Sequence, residues 1–569
     1  MNAPTPALVA RPERLHLVGQ RRQILAVIHQ RLMFGMLVFA GVVALIAFRI
    51  IYLAAFGDHA GRKMGITSLV PERGDIVDRD GQALARTIDA WTIALHPKKV
   101  IGDKLALART LAKLIPEYDE PAYFAMLKSD RPFFYLRRRA APDVVQAINA
   151  LGEPGLAIDR EPDRLYPQTT LAAHVLGYTD IDGHGTSGVE RAFDPQLSDP
   201  ALRGKPVMLS ISSKVQQALE HELGSAMAEF SAIGAAGVVI DIHTGEIIAM
   251  TSLPSYNPNI AGKNSPDQMF NRATLGVYEL GSTFKPFTVA MAMDSGVVKS
   301  FGQMYNCPSE LHIGNRIIGD THPFNRACSV AEIMMKSSNI GTAQIADQLG
   351  AARQKAFLKQ MGFLDKIQVE LRERGRTLFP RDWTRMDVMT VGYGHSIAVT
   401  PLHLATGYAT LFNGGIYRPA TILKVDANHR VAAGHRVFTE ETSYKMRALL
   451  RLVVTNGTGR NADAPGYRIG GKTGTAEKWI GHAYSKTINI TSFAGVFPMN
   501  EPRYAMVMML DSPRATAKTA GFTTAAWNAA PAFGRTVARI APMLGVRPDM
   551  KRDANMAEVL PFVHEKSEK

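Results

Sequence analysis

Ser282 and Lys285 stand three residues apart in Gly281-Ser282-Thr283-Phe284-Lys285-Pro286-Phe287-Thr288. An apolar run, Val289-Ala290-Met291-Ala292-Met293, follows and stops at Asp294-Ser295-Gly296. On a helix this spacing puts both side chains on one face. Pro286 is tolerated in a first turn but not in a helix interior. The sequence therefore places the helix start at the serine, where unsatisfied N–H groups and the positive end of the dipole favour a developing alkoxide. The chemistry is that of a hydroxyl nucleophile and an amine base. Lys285 takes the serine proton only when neutral, and burial or a second nearby cation would push it that way. The pair is a weak signal alone, since Ser-x-x-Lys arises by chance about once or twice in a chain this long, and a capped core helix would read the same.

Two further motifs follow in the order a serine acyltransferase needs. Lys336-Ser337-Ser338-Asn339 brings a hydroxyl and an amide, Ser337 and Asn339, that can relay a proton and hold a peptide carbonyl. Gly470-Gly471-Lys472-Thr473-Gly474-Thr475 reads as a strand. In it Lys472 is the second cation, Thr473 and Thr475 offer hydroxyls to a carboxylate, Gly474 admits a substrate backbone, and the Thr475 N–H could face an oxyanion. Ser337 lies 55 residues after Ser282, and Lys472 another 135 on. Each motif is common; the three in this order inside one domain are not.

The elements that must position them can be read from pattern. With 569 residues the chain is too long for one core. Residues 1–31 are polar and basic, with five arginines against Glu13 alone, and read as a cytoplasmic tail. Residues 32–56 are apolar apart from Arg49 and are long enough to cross a bilayer. Arg49, 17 residues after Leu32, falls about 26 Å along the helix, near the far interface. The basic flank puts the N-terminus in the cytoplasm and the rest outside. Residues 57–205 read as a mixed domain with three charged islands, Pro71–Gly81, Asp163–Pro167 and Gly185–Arg191, expected to tie domains together rather than to do chemistry. From 206 to 545 a strand at Lys205–Ile211, a helix at Lys214–Phe230, and a hairpin around His243-Thr244-Gly245 are expected. Further strands are expected at Tyr467–Lys472, Ile490–Val496 and Tyr504–Leu510, with helices between and a last one at Ala525–Leu544. Strands at both ends with helices between argue for an α+β or layered α/β/α domain. Residues 546–569 read as a charged tail. The net charge of +14 is spread along the chain without interleaved aromatics, which speaks against nucleic acid.

Ser-x-x-Lys with Lys-Thr-Gly is a signature of β-lactamases and penicillin-binding proteins, and on these motifs the chain resembles class B penicillin-binding proteins of the cell-division (septal) type. The resemblance runs from the membrane helix to about residue 545. It includes Arg73-Gly74-x-Ile76-x-Asp78-Arg79-x-Gly81, Arg164-x-Tyr166-Pro167, Gly185-x-x-Gly188-x-Glu190 and Val391–Leu402. It departs at Leu280, where the family usually has proline, and at His403, where it usually has glutamine.

The resemblance implies a multidomain α+β protein: one transmembrane helix, an elongated pedestal of the dimerisation type, and a transpeptidase domain of β-lactamase-like α/β/α build around an antiparallel sheet. It implies a D,D-transpeptidase that cross-links peptidoglycan stem peptides through a Ser282 ester. Lys285 is then the base, Ser337 the proton carrier to the leaving group, and Ser282 and Thr475 the oxyanion donors, while Thr473 and Thr475 grip the terminal carboxylate. β-Lactams are implied as inhibitors, with no metal or cofactor. The implied location is the inner membrane, catalytic domain in the periplasm, beside a membrane glycan polymerase and division proteins. An elongation-type enzyme, a β-lactamase-like hydrolase and an idle penicillin-binding scaffold or sensor are the alternatives. His395 and His403 read as packing or loop residues. Cys307 and Cys328, the only cysteines, are open to a disulfide across a hairpin around Gly314-Asn315 or to staying unbridged; a zinc set with His312 and His322 can also be drawn, but its spacing lacks the short pairs of a closed zinc site.

Overall fold

The computed structural model describes residues 30–49, 73–202, 205–426, 429–481 and 483–564. The chain divides into two units, residues 1–68 and 69–569. In the first, the helix Gln30–Arg49 has 20 residues, about 30 Å, enough to cross a hydrocarbon core. It is the one helix among the described residues with that length and apolarity. Most of the expected tail (1–29), residues 50–56 of the expected span and the first residues of the expected pedestal (57–72) lie outside the described residues.

The second unit starts with small sheets. Strands β1 (Ile76–Val77), β2 (Ala83–Ile88), β3 (Trp91–Leu95), β4 (Phe134–Ala140), β5 (Leu156–Arg160), β6 (Asp163–Leu165) and β7 (Val207–Met208) form two of them, ordered β6-β2-β1-β7 and β4-β3-β5. The turn at Asp80-Gly81 joins β1 to β2. The three charged islands meet here. Glu190, fully buried, accepts from Arg73 Nε (2.6 Å) and Arg164 Nε (2.7 Å), and Arg73 also reaches Asp194 (2.7 Å). Asp78 takes the Ser213 hydroxyl (2.6 Å) and Lys424 donates to the Arg79 carbonyl (2.9 Å), so the first island also fastens this region to the following domain.

The larger domain is built on β8 (Gly234–Asp241), β9 (Ile247–Leu253), β16 (Gly470–Ile480), β17 (Ala483–Phe497) and β18 (Tyr504–Asp511), ordered β16-β17-β18-β8-β9 with every pair antiparallel. Between them lie β10 (Met304–Cys307), β11 (Glu310–Ile313), β12 (Arg316–Gly319) and β13 (Arg326–Ser329), with β14 (Ile416–Tyr417) and β15 (His435–Arg436) as a further short pair. Alternation along β18 separates two cores, as a pleated strand requires. Ala505, Val507 and Met509 face the helices Lys285–Asp294, Val330–Lys336 and Pro401–Phe412; Met506, Met508 and Leu510 face the helices Ser213–Glu229 and Ala529–Met543. The result is the layered α/β/α arrangement that the pattern implied.

Several boundaries differ from expectation, each for a local reason. The strand expected at Lys205–Ile211 reduces to β7, because its backbone changes partner as it runs: Leu209 N–H donates to Val77, Ser210 to Ile422 and Ser212 to Ile248. The strand expected from Tyr467 begins at Gly470, because Arg468 takes φ +47°. β17 starts seven residues before Ile490, since β16 and β17 continue as a hairpin past the sheet, closed by Trp479 edge-on to Tyr484. The last helix begins at Ala529, where the Asn528 side chain takes the first free N–H. Residues 546–564 are no loose tail: Asp553 pairs with Arg451 and Arg468, and Val559 is buried in the main core.

Removing one partner from a buried charge cluster leaves the others desolvated and unpaired. Glu190→Ala is therefore expected to destabilise the region holding β1–β7 by about 3–5 kcal/mol, read as an earlier transition in urea followed by fluorescence in a background that keeps Trp91 as its one tryptophan.

Candidate active site

Gly281–Phe284 forms a 3-10 turn that runs directly into the α-helix Lys285–Asp294. The expected helix start at Ser282 is thus one tight turn early: Pro286 sits in the first turn of the α-helix proper, and the serine rides on the 3-10 lead-in. Two close approaches fix that turn. A side chain at Gly281, which has φ +54°, would meet the Thr475 carbonyl at 2.9 Å, and one at Gly474 would meet the Leu280 carbonyl at 2.3 Å. The glycine of Lys-Thr-Gly therefore makes room for this chain's own serine turn. Leu280 itself has φ −101°, outside the range a proline ring imposes, so leucine suits this backbone.

The structure brings all the residues singled out by sequence to this corner. Lys285 is fully buried; its Nζ donates to the Ser337 carbonyl and lies 3.1 Å from the Ser337 hydroxyl. Ser337 holds a left-handed conformation, φ +64°, between the helices Val330–Lys336 and Asn339–Leu349. Asn339 Nδ2 donates to the Gly319 carbonyl (3.0 Å), which fixes the amide. Lys472 is fully buried, with Nζ 3.2 Å from the Thr473 carbonyl and 3.4 Å from the Thr458 hydroxyl. The Thr473 and Thr458 hydroxyls are 2.9 Å apart, and the Thr475 hydroxyl accepts from the Ala525 amide (3.1 Å). β16 is an edge strand, and the Thr475 carbonyl lies against Gly281. In an antiparallel strand both polar groups of a residue point the same way, so the Thr475 N–H also faces the serine turn. The Ser282 hydroxyl makes no hydrogen bond to a described residue and stands half-exposed.

The electrostatics favour a base. Burial, then the charge of Lys472, push the Lys285 pKa well below the ordinary lysine value, against a smaller opposing pull from Asp320. Burial pushes Lys472 down to about 7.

Some groups here carried little or no signal in the sequence. Thr458 enters between the Met335 carbonyl, which accepts its N–H (3.3 Å), and Lys472; its flanking glycines, Gly457 and Gly459, echo the Lys-Thr-Gly pattern and were the one available hint. Glu279, three residues before the serine, accepts from the Ser396 amide (3.0 Å) and the Tyr484 hydroxyl (3.1 Å), with His395 Nδ1 at 3.5 Å. Burial and the nearby Lys285 hold His395 down to about 4, so it is neutral near pH 7. His403 does the work of the usual glutamine: its Nδ1 takes the Thr400 hydroxyl (2.9 Å) in a capping box and its Nε2 meets the Asp365 carbonyl (3.1 Å). Cys307 and Cys328 are disulfide-bonded, which removes the zinc alternative; among the described residues no group of three or more His, Cys, Asp or Glu is placed to hold a metal.

Comparison with known proteins agrees with this architecture. Residues 235–530 match the penicillin-binding protein transpeptidase domain, and residues 68–201 the penicillin-binding protein dimerisation domain. The chain is 38% identical over 501 residues to the probable peptidoglycan D,D-transpeptidase FtsI of Caulobacter vibrioides, covering 86% of this chain and 84% of that protein. It is 31% identical over 523 residues to the peptidoglycan D,D-transpeptidase FtsI of Escherichia coli, covering 86% of each. In fold it resembles penicillin-binding protein 3 of Mycobacterium tuberculosis, solved with aztreonam, at a TM-score of 0.67 and 24% identity over 84% of this chain and 97% of that one. The chain belongs to the penicillin-binding protein transpeptidases, as a class B member of the FtsI type.

The lowered lysine has a signed consequence. Between about pH 7 and 10.5 the unfolded chain holds a proton at Lys472 that the folded chain lacks, so this group's contribution to stability rises with pH across that window and is flat outside it. The difference in unfolding free energy between the wild type and Lys472→Met should climb by up to about 1.4 kcal/mol per pH unit there, read from denaturant titrations at stepped pH.

Proposed function

We propose that the protein is a septal peptidoglycan D,D-transpeptidase whose acyl carrier is Ser282. The observation that carries the reading is the meeting of three distant motifs: a free serine hydroxyl on the turn, a buried amine one helical turn away joined to Ser337, and an edge strand presenting Lys472, Thr473 and Thr475.

In the first half-reaction Lys285 takes the Ser282 proton as the oxygen attacks the penultimate carbonyl of a D-Ala-D-Ala stem. The N–H groups of Ser282 and Thr475 receive the oxyanion, where fixed donors in a dry site act most strongly. The hydroxyls of Thr473 and Thr475 hold the terminal carboxylate. Ser337, in contact with Lys285, passes the proton to the departing nitrogen, and the C–N bond breaks to release D-Ala. In the second half an acceptor amine attacks the ester, loses its proton to the same lysine, and Ser282 leaves as its hydroxyl. The ester conserves the energy of the cleaved amide, so no nucleotide is consumed. A β-lactam enters as the donor does and stays as the ester.

The apolar helix Gln30–Arg49 with the arginines before it supports a single inner-membrane crossing, N-terminus in the cytoplasm and catalytic domain in the periplasm. A membrane glycan polymerase and division proteins are the partners this placement favours.

Full-length protein in detergent should be labelled by fluorescent penicillin. Ser282→Ala should lose labelling and cross-linking by about 10⁴-fold or more with an unchanged circular dichroism spectrum. Labelling or normal septation by the variant would refute the reading, and release of the label within minutes would favour a hydrolase. Depletion should give filaments; rounded cells would favour the elongation type.

A further inference from the structure

The segment between Cys307 and Cys328 is a two-stranded hairpin, β11–β12, that stands apart from the main sheet, with Ile317 57% exposed. A two-stranded hairpin is marginal by itself. Two things hold this one. A small apolar cluster seats Ile318, Leu311 and Ile313 on Ile340, Ala343 and Met389. The buried disulfide closes its base, where β10 pairs with β13.

What leaves the hairpin is the structural core of the second motif. The Gly319 carbonyl takes the Asn339 side-chain amide (3.0 Å). The next residue, Asp320, accepts the backbone N–H of Asn339, that of Ile340 (3.1 Å) and the Ser338 hydroxyl (2.6 Å). Ser338 in turn caps the helix Asn339–Leu349 by accepting the Gly341 amide (2.9 Å). Ser337, in its left-handed conformation and in contact with Lys285, is the residue immediately before this capped corner. One carboxylate therefore ties down three consecutive residues, 338 to 340, beside the proton carrier.

We propose that Asp320 is a positioning residue for acyl transfer, orienting Ser337 and Asn339 through these bonds, and that the Cys307–Cys328 bridge keeps it in register. The inference rests on the acyl-transfer reading above. Asp320 also acts at longer range. Lys285 is faced by Lys472 from β16, by Asp320 from the end of the hairpin and by His395 from the loop after the helix Arg385–Gly392. Of these Asp320 alone favours the protonated amine.

The test is the acylation rate of the full-length protein by fluorescent penicillin, followed against pH, with thermal midpoints recorded beside it. Asp320→Ala should slow acylation about 10- to 100-fold. Asp320→Asn keeps an oxygen for the amides and should lose less rate. Because it removes a negative charge near Lys285, it should move the acid limb of the profile to lower pH; a merely structural role would leave that limb in place. Cys307→Ser with Cys328→Ser should slow acylation about 2- to 10-fold. Wild-type rates and an unmoved acid limb in both Asp320 variants would overturn the positioning role, and a wild-type rate in the double serine variant would overturn the role of the bridge. A wild type that takes no label at all would instead sink the acyl-transfer reading, so the two failures are told apart.

Discussion

Two amines share one dry corner of this protein, and neither has a carboxylate in contact. Lys285 and Lys472 are fully buried, and their near neighbours are carbonyl and hydroxyl oxygens of Ser337, Thr458 and Thr473. Two unpaired ammonium groups in such a place would cost far more than a fold can supply. Losing a proton is the cheaper outcome, and that is the direction in which burial pushes both amines. Asp320 pulls the other way on Lys285 from a distance, more weakly than burial and Lys472 push it down.

Keeping that corner dry is the task of the whole layered domain. The helix after the serine carries Phe287, Val289 and Met291 into one core, and β17 and β18 present alternate side chains to both. The serine turn and the edge strand approach so closely that Gly281 and Gly474 have no room for a side chain. On its far side β16 is paired with β17, so the edge that faces the serine turn is the one the sheet leaves unpaired.

How much of this could be read from residues alone depended on whether the information was local. The three motifs, the hairpin at Gly314-Asn315 and the alternating strands were legible, because turn chemistry and period are written within a few residues. The charged islands were read as ties between domains, which the first one is, through Asp78 and Lys424; that all three meet on Glu190 was not legible. Asp320 and Glu279 were not legible, since nothing near them in sequence marks what the fold sets beside them, and Thr458 had only its flanking glycines as a hint. The helix start was misplaced by one turn because a 3-10 lead-in has the same composition as a first α-turn. His403 looked like a departure until its ring proved to fill a capping box as glutamine does.

The segment 546–564 has an implication for timing. The Phe562 carbonyl accepts the Ser329 hydroxyl (2.7 Å) and the His564 amide donates to Glu332 (3.1 Å), ties that span 233 and 232 positions. They close the first turn of the helix that ends at Lys336. A ribosome must therefore travel at least as far as His564 before that helix has all its fastenings. Until then the corner that holds Ser337 beside Lys285 lacks part of its support, so this site is completed late, after most of the chain has been made.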